Sequence, residues 1–122
     1  MSRELVEKAE TVAARAYAPY SRYHVGAVVR ARDGSEFAGV NVESAAYPLG
    51  ICAEKGAIAA AVAAGHGPGD LVAIGTSAAP CGGCRQWLHE FRIGEISYRA
   101  TDGGIRTVSP DELLPNAWDL RG

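Results

Sequence analysis

No charge of either sign dominates this 122-residue chain, in which 12 Lys and Arg face 14 Asp and Glu for a net charge of −2. The basic residues are scattered rather than striped, so the electrostatic footprint of a phosphate-backbone binder is missing. A nucleic acid polymer is therefore not the expected partner, although a single nucleoside is not excluded. Long hydrophobic runs are lacking too. The longest, Ala57 to Ala64, falls well short of the ~20 residues a membrane span requires. The first eight residues, Met1 to Lys8, lack the apolar core of a secretory signal. Cysteine is scarce and odd in number: of three, two sit in Cys81-Gly82-Gly83-Cys84, whereas a disulfide framework shows even, spread cysteines. Repeats, low-complexity tracts and linkers are absent as well. These absences predict a cytoplasmic protein of one domain, residues 1–122.

What is present is a chain 48% apolar, enough for a core, at a size that leaves much surface exposed unless subunits associate. Leu5, Val6, Ala9, Val12, Ala13 and Ala16 share one helical face, with Glu4 and Lys8 paired outside, and Pro19 is the expected stop. Two β-prone stretches, His24 to Arg32 and Glu36 to Glu43, flank Asp33-Gly34 as a hairpin. On such a strand Asn41 and Glu43 share one face and can address one ligand. A helix from Cys52 to about Ala64 is Ala-rich nearly all round, which predicts burial on most sides. A buried strand follows at Leu71 to Ser77, then a helix from Cys81 to about Phe91 and a hairpin around Asp102-Gly103-Gly104. Ser109-Pro110-Asp111-Glu112 has the form of a capping box opening a last helix. The order α-β-β-α-β-α-β-β-α predicts an α/β fold, one mixed β-sheet with helices on its faces.

The chemistry concentrates in the cysteines and their neighbour. Cys81 and Cys84, three apart at a helix start, lie on one face beside unsatisfied backbone N–H groups. There the helix dipole favours negative charge, so both thiols are expected to ionise more readily than free cysteine. Cys52 also opens a predicted helix, and two helix N-termini could converge to present three soft thiolates to zinc. Cys52-Ala53-Glu54 sets a carboxylate next to that three-ligand site. Structural zinc normally has four protein ligands, whereas a catalytic site keeps a position for water, whose pKa falls to roughly 7. Glu54 can take that water's proton and deliver it elsewhere. Two other readings use the same residues: a thioredoxin-like pair at Cys81 and Cys84, and structural zinc completed by His24, His66 or His89.

Cys52-Ala53-Glu54 with Pro80-Cys81-Gly82-Gly83-Cys84 matches the Cys-x-Glu…Pro-Cys-x-x-Cys pattern of the zinc deaminases. With Pro19-Tyr20-Ser21-x-Tyr23, Gly39-Val40-Asn41-Val42-Glu43, Ala46 to Ile51, Cys84-Arg85-Gln86 and Glu112 to Pro115, the chain resembles the small homotetrameric cytidine deaminases from about Ala16 to Trp118. The resemblance implies a three-layer fold with helices on both faces of the sheet and active sites at subunit interfaces. It implies Zn²⁺ on Cys52, Cys81 and Cys84, with Glu54 carrying a proton to N3 of the base and helping to expel ammonia. Asn41 and Glu43 would bind the ribose 3′-hydroxyl, Tyr23 the pyrimidine, and the Ala53 N–H its 2-carbonyl oxygen. Tyr47 would reach a neighbouring subunit's ribose, and Trp118 would cover a neighbour's base. The implied activity is hydrolytic deamination of cytidine or 2′-deoxycytidine, a pyrimidine-salvage reaction. The alternatives are another aminoheterocycle, as in blasticidin S deaminases, and a nucleoside-binding module without catalysis, against which the intact Glu54 argues.

Three thiolates and one Zn²⁺ sum to −1, which the helix N-termini, Arg85 and Lys55 would offset. Two features depart from the family. Lys55 stands where arginine is usual, and a point-charge ammonium cannot fork onto two thiolates as a guanidinium can. Thr76 to Ala79, before Pro80, is several residues shorter than typical in a loop expected to wall the leaving amino group. Trp118 taken alone would be either a core plug or a contact to another subunit.

Overall fold

A computed structural model describes residues 2–120. Met1, Arg121 and Gly122, which the one-domain expectation includes, lie outside the described residues. The elements are α1 (Ser2–Val12), β1 (Gly26–Ala31), β2 (Glu36–Val40), α2 (Ala53–Ala63), β3 (Leu71–Thr76), α3 (Gly82–Glu90), β4 (Glu95–Arg99), β5 (Ile105–Val108) and α4 (Pro110–Leu113). Short 3₁₀ turns follow α1 at Ala13–Arg15 and precede α2 at Tyr47–Leu49. The element order is the expected one.

The sheet runs β2-β1-β3-β4-β5, with β3 and β4 parallel and the other pairs antiparallel. Strand alternation sends Ala27 and Val29 into a core with Ala57, Ile58 and Ala61 of α2 and Leu88 of α3, while Val28 joins Leu5 and Ala9 of α1 on the other face. Helices therefore cover both faces. Close approach of backbones demands glycine: a Cβ on Gly39 would lie 2.2 Å from the Ala57 nitrogen, and one on Gly75 2.4 Å from the Leu5 carbonyl carbon. At the far end of α2, Gly65 adopts φ +102° and closes a Schellman turn, its N–H bonding Val62 O and that of His66 bonding Ala61 O. The Ser109 capping box is formed as expected, with both Ser109 and Glu112 side chains engaged.

Three local expectations need correction. Helix α1 stops well before Pro19, because Tyr17 is drawn into a bridge with Val42 through Tyr17 N–H to Asn41 O (3.1 Å) and Glu43 N–H to Tyr17 O (2.9 Å). Asn41 and Glu43 lie beyond the end of β2, not within it. Helix α2 is not enclosed within the chain: Ala53, Glu54, Ala57, Ile58 and Ala61 are buried, but Ala59, Ala60, Val62 and Ala63 are exposed. The sheet covers only one side of it.

Candidate active site

The antiparallel pairing of β1 with β2 and β3 puts the C-terminal ends of β2 and β3 and the start of β1 at one edge, where Gly26 faces Val40 and Ala27 faces Thr76. Beyond the carboxyl ends of strands is the customary ligand crevice of open α/β sheets. Two ties complete this edge. Val42 and Ile51 exchange N–H···O bonds of 3.0 Å each, which sets Cys52 beside the extension of β2. The Gly26 N–H donates to Ser77 Oγ (3.0 Å) and the Ser77 N–H to Gly26 O (3.0 Å), which anchors the short loop leading to Cys81. Cys52 and Cys81 are the N-caps of α2 and α3, so two helix N-termini do converge.

The three sulfurs lie within 4.8 Å of one another, Cys52 to Cys81 at 3.5 Å, and all three cysteines are free. No other group of metal-ligating side chains occurs among the described residues. The histidines are elsewhere: His24 by the Arg22 carbonyl (3.2 Å), His66 against Phe37 (5.3 Å) and His89 by Asp119 (3.5 Å). A closed four-ligand structural site thus lacks its fourth donor, and a redox pair has no use for the third thiol. Three soft donors in one cluster fit a zinc ion with one position left open.

Ionisation of the thiols differs from expectation. Burial works against the Cys81 thiolate, but the Cys84 amide, the Cys52 and Cys84 thiols and the Gly83 amide outweigh it, so the Cys81 pKa falls. Cys84, inside the first turn and fully buried, is pushed far up, by burial first and then by the negative charge of Glu54 and of Cys52. Burial likewise raises Cys52. A place at the helix cap does not by itself decide ionisation: Cys52 and Cys81 both cap a helix, yet only at Cys81 do hydrogen bonds outweigh burial. A metal cation supplies what the other two lack.

Glu54 is only 3% exposed, one of three buried polar side chains among the described residues. The others bond locally, Thr76 to Ala78 O (2.6 Å) and Ser97 to Thr107 (2.9 Å). Burial raises the Glu54 pKa, partly offset by its own amide, the Cys84 thiol and the Lys55 charge. Lys55 turns its ammonium over the Trp87 ring, 5.9 Å from the centroid. Arg85 bonds Pro80 O (3.0 Å) and Leu113 O (2.9 Å). Neither cation enters among the causes that set the three thiols; Arg85 instead braces the loop before Cys81 against the end of α4.

A cavity of about 480 Å³ opens over Cys52, Cys81 and Glu54, in the range typical of small-molecule sites. Of the sequence-predicted residues, Tyr23, Asn41, Glu43, Tyr47 and Ala53 line it. Tyr47, expected to reach a neighbour, is on the cavity of its own chain, in edge contact with Tyr20 at 6.0 Å between ring centroids. Ala78 and Ala79 of the short loop form part of the wall. Trp118 does not line this cavity. It borders a groove between α2 and α3 with Val62, Trp87 and Phe91, is 67% exposed, and its carbonyl accepts from Gln86 Nε2 (2.9 Å). It is no core plug.

Asn41 and Glu43 are already engaged. Asn41 Oδ1 accepts from the Val25 N–H (2.8 Å) and its Nδ2 donates to Tyr23 O (2.8 Å). Glu43 Oε1 accepts from the N–H groups of Tyr20 (3.0 Å) and Ser21 (3.1 Å), and Oε2 accepts from Ser21 Oγ. One N–H of Asn41 and one acceptor position of Glu43 remain for a ligand, since an amide offers two N–H donors and a carboxylate roughly four acceptor sites. A hydroxyl needs that combination, one group to accept its proton and one to donate to its oxygen. Sequence reasoning gave no role to Ser21, which also lines the cavity. Its only sequence signal is its place in the Pro-Tyr-Ser turn.

Residues 1–100 match the family model described as the cytidine and deoxycytidylate deaminase zinc-binding region. The chain is 38% identical to a cytidine deaminase of Halalkalibacterium halodurans, over 97% of this chain and 95% of that protein. It superposes on the crystal structure of a cytidine deaminase from Burkholderia pseudomallei with a TM-score of 0.90 and 39% identity, covering 97% of this chain and 99% of the other. A Mycobacterium tuberculosis cytidine deaminase structure gives a TM-score of 0.83 and 35% identity, covering 97% of each chain.

Proposed function

Because the chain belongs to the cytidine and deoxycytidylate deaminase family, we propose that it converts cytidine or 2′-deoxycytidine and water to the corresponding uridine and ammonia. The observation that carries this reading is the buried Glu54 beside a three-thiol cluster at the floor of the cavity. Cys52, Cys81 and Cys84 hold the zinc. When bound, zinc supplies Lewis acidity and lowers the pKa of water to roughly 7.

The chain's own residues do the rest. Asn41 and Glu43 hold the sugar hydroxyl, and Tyr23 lies against the pyrimidine. The Ala53 N–H, in the first turn of α2 and so without an intrahelical acceptor, donates to the 2-carbonyl oxygen. Glu54 takes a proton from the attacking water and passes it to N3, which makes C4 electrophilic. Once the water oxygen is bonded to C4, Glu54 takes the remaining proton from that hydroxyl and gives it to the amino nitrogen as the C4–N4 bond breaks, which leaves the C4 carbonyl and N3–H of the uridine together with ammonia. Burial suits Glu54 to this work, since the raised pKa makes its carboxylate a stronger proton acceptor than a free one.

The finer reading is a homotetramer of one-domain chains in the cytoplasm, serving pyrimidine salvage, with each site completed at a subunit interface. Its support is the apolar surface a single chain leaves open: the outer face of α2, Leu49 at 75% exposure, and Trp118 away from its own cavity. Three free thiols suit a reducing compartment. No helix among the described residues is long and apolar enough to cross a membrane.

Purified protein should carry about one zinc per chain and turn over cytidine, followed by absorbance. Glu54→Gln should keep the zinc and lose at least ~10³-fold in kcat, within the span of general acid–base effects. Zinc without turnover of either nucleoside overturns the substrate assignment, and an active Glu54→Gln overturns the proton role.

A further inference from the structure

The turn at residues 20–23 is held to the end of β2 by the two residues proposed to bind the sugar. At its centre is Ser21. The Tyr23 N–H donates to Ser21 Oγ at 3.0 Å. An amide can only donate there, so the Ser21 hydroxyl must accept from it and send its own proton elsewhere. That proton goes to Glu43 Oε2.

On Glu43, Oε1 is filled by the amides of Tyr20 and Ser21, so the one acceptor position left lies on Oε2. This is the oxygen that Ser21 grips, and Ser21, Tyr23 and Glu43 line the cavity. The ligand hydroxyl and the Ser21 hydroxyl thus share one carboxylate oxygen. Without the Ser21 hydroxyl, Oε2 keeps no partner within the chain and the carboxylate is held only through Oε1, by the two amides. The Ser21 hydroxyl also leads the causes that hold the Glu43 carboxyl below the ordinary carboxylate value, followed by the Ser21 amide; burial opposes them, and the Tyr20 amide adds a lesser lowering.

We infer that Ser21 is a positioning residue for sugar recognition: its hydroxyl orients Glu43 Oε2 toward the 3′-hydroxyl of the nucleoside and ties that oxygen to the backbone of Tyr23. The inference rests on the reading of Glu43 as the sugar-hydroxyl acceptor. It makes Ser21 a determinant of discrimination between nucleosides that carry a 3′-hydroxyl and those that lack it, with no contact to the reacting atoms.

The test compares kcat and KM for cytidine and 3′-deoxycytidine in the wild type, Ser21→Ala, Ser21→Thr and Glu43→Ala. Ser21→Ala should raise the KM for cytidine about tenfold, leave kcat within about threefold, and leave both constants for 3′-deoxycytidine within about twofold, the pattern of lost ground-state binding. Ser21→Thr, which keeps a hydroxyl, should restore the cytidine KM to within about threefold of wild type. If Ser21→Ala harms both substrates equally, or Thr does not rescue, Ser21 is merely structural and the inference fails. If Glu43→Ala abolishes discrimination while Ser21→Ala retains it, the inference fails and the reading of Glu43 survives. If Glu43→Ala leaves discrimination intact, the reading fails and the inference with it.

Discussion

Replacing Gly39 with alanine tests how the fold holds the site together. A Cβ there would meet the Ala57 nitrogen at 2.2 Å, the Ala53 oxygen at 2.4 Å and the Gly56 carbonyl carbon at 2.7 Å, all backbone atoms of α2. No side-chain rotation relieves such a clash, and the shortest contact is about 1.2 Å inside ordinary van der Waals distance. Either α2 lifts, carrying Cys52 and Glu54 at its start, or β2 bends away at the edge of the sheet, carrying Asn41 and Glu43. Both relaxations change the gap between the proton carrier and the sugar site. Overpacking of this kind costs about 1–3 kcal/mol, a fall in Tm of roughly 5–15 °C for a domain of this size. A misplacement of ~1 Å costs about 10²-fold in turnover.

Thermal melts, zinc per chain and kcat/KM for cytidine measure the three consequences. Gly56→Ala is the control on the same contact from the helix side. Its Cβ would find Gly39 Cα at 3.5 Å and Val40 O at 3.6 Å, which is ordinary contact. Removing a glycine from a helix interior should then hold or raise stability by roughly 0.5–1 kcal/mol. If Gly39→Ala melts within about 2 °C of the wild type and keeps its kcat/KM, the close-packing argument is wrong.

Two further outcomes follow from contacts away from the thiol cluster. Trp118→Ala should raise the cytidine KM roughly 5- to 150-fold, the equivalent of ~1–3 kcal/mol of base stacking, with zinc content unchanged. Mixing it with Glu54→Gln chains should recover low-KM turnover if the indole serves a neighbour's site, and no recovery refutes a lid supplied between subunits. The Glu10 carboxyl is held below its usual 4.5 by the Arg99 fork, at 2.9 Å to Nε and 3.1 Å to Nη2, against a smaller effect of burial. A carboxylate with a lowered folded pKa contributes stability that is complete above the unfolded value and lost as pH falls through the folded one. The gap in urea midpoint between wild type and Glu10→Gln should therefore be present at neutral pH and shrink as the pH falls below 4.5; a gap that stays constant with pH refutes the pairing.

Much of this molecule could be read from residue order, because turn and helix-end chemistry is local. Asp33-Gly34, Gly65 and the Ser109 capping box set their boundaries through neighbours within a few residues. The metal motif is local in the same sense, since the two cysteines of Cys81-x-x-Cys84 and the Cys52-Ala53-Glu54 triplet each occupy the start of one helix. What failed were particular expectations about what lies across the sheet or beyond a strand end. The α1 boundary yielded to a bridge with Val42, and the open side of α2 reflects a sheet that covers only one face.

Residue order by itself determined the element sequence, the three thiols and the carboxylate beside them, since each follows from spacing along one helix, strand or turn. Tertiary structure alone decided how those groups behave. Convergence of helix starts 29 residues apart made one cluster of three sulfurs. Burial drove Cys84 and Glu54 up while leaving Cys81 lowered, and the 20–25 segment, folded back on Asn41 and Glu43, chose which of their polar atoms remain for a ligand. The physical reason is that desolvation and shared hydrogen bonds depend on which distant segments are brought into contact, and no local pattern of residues encodes that.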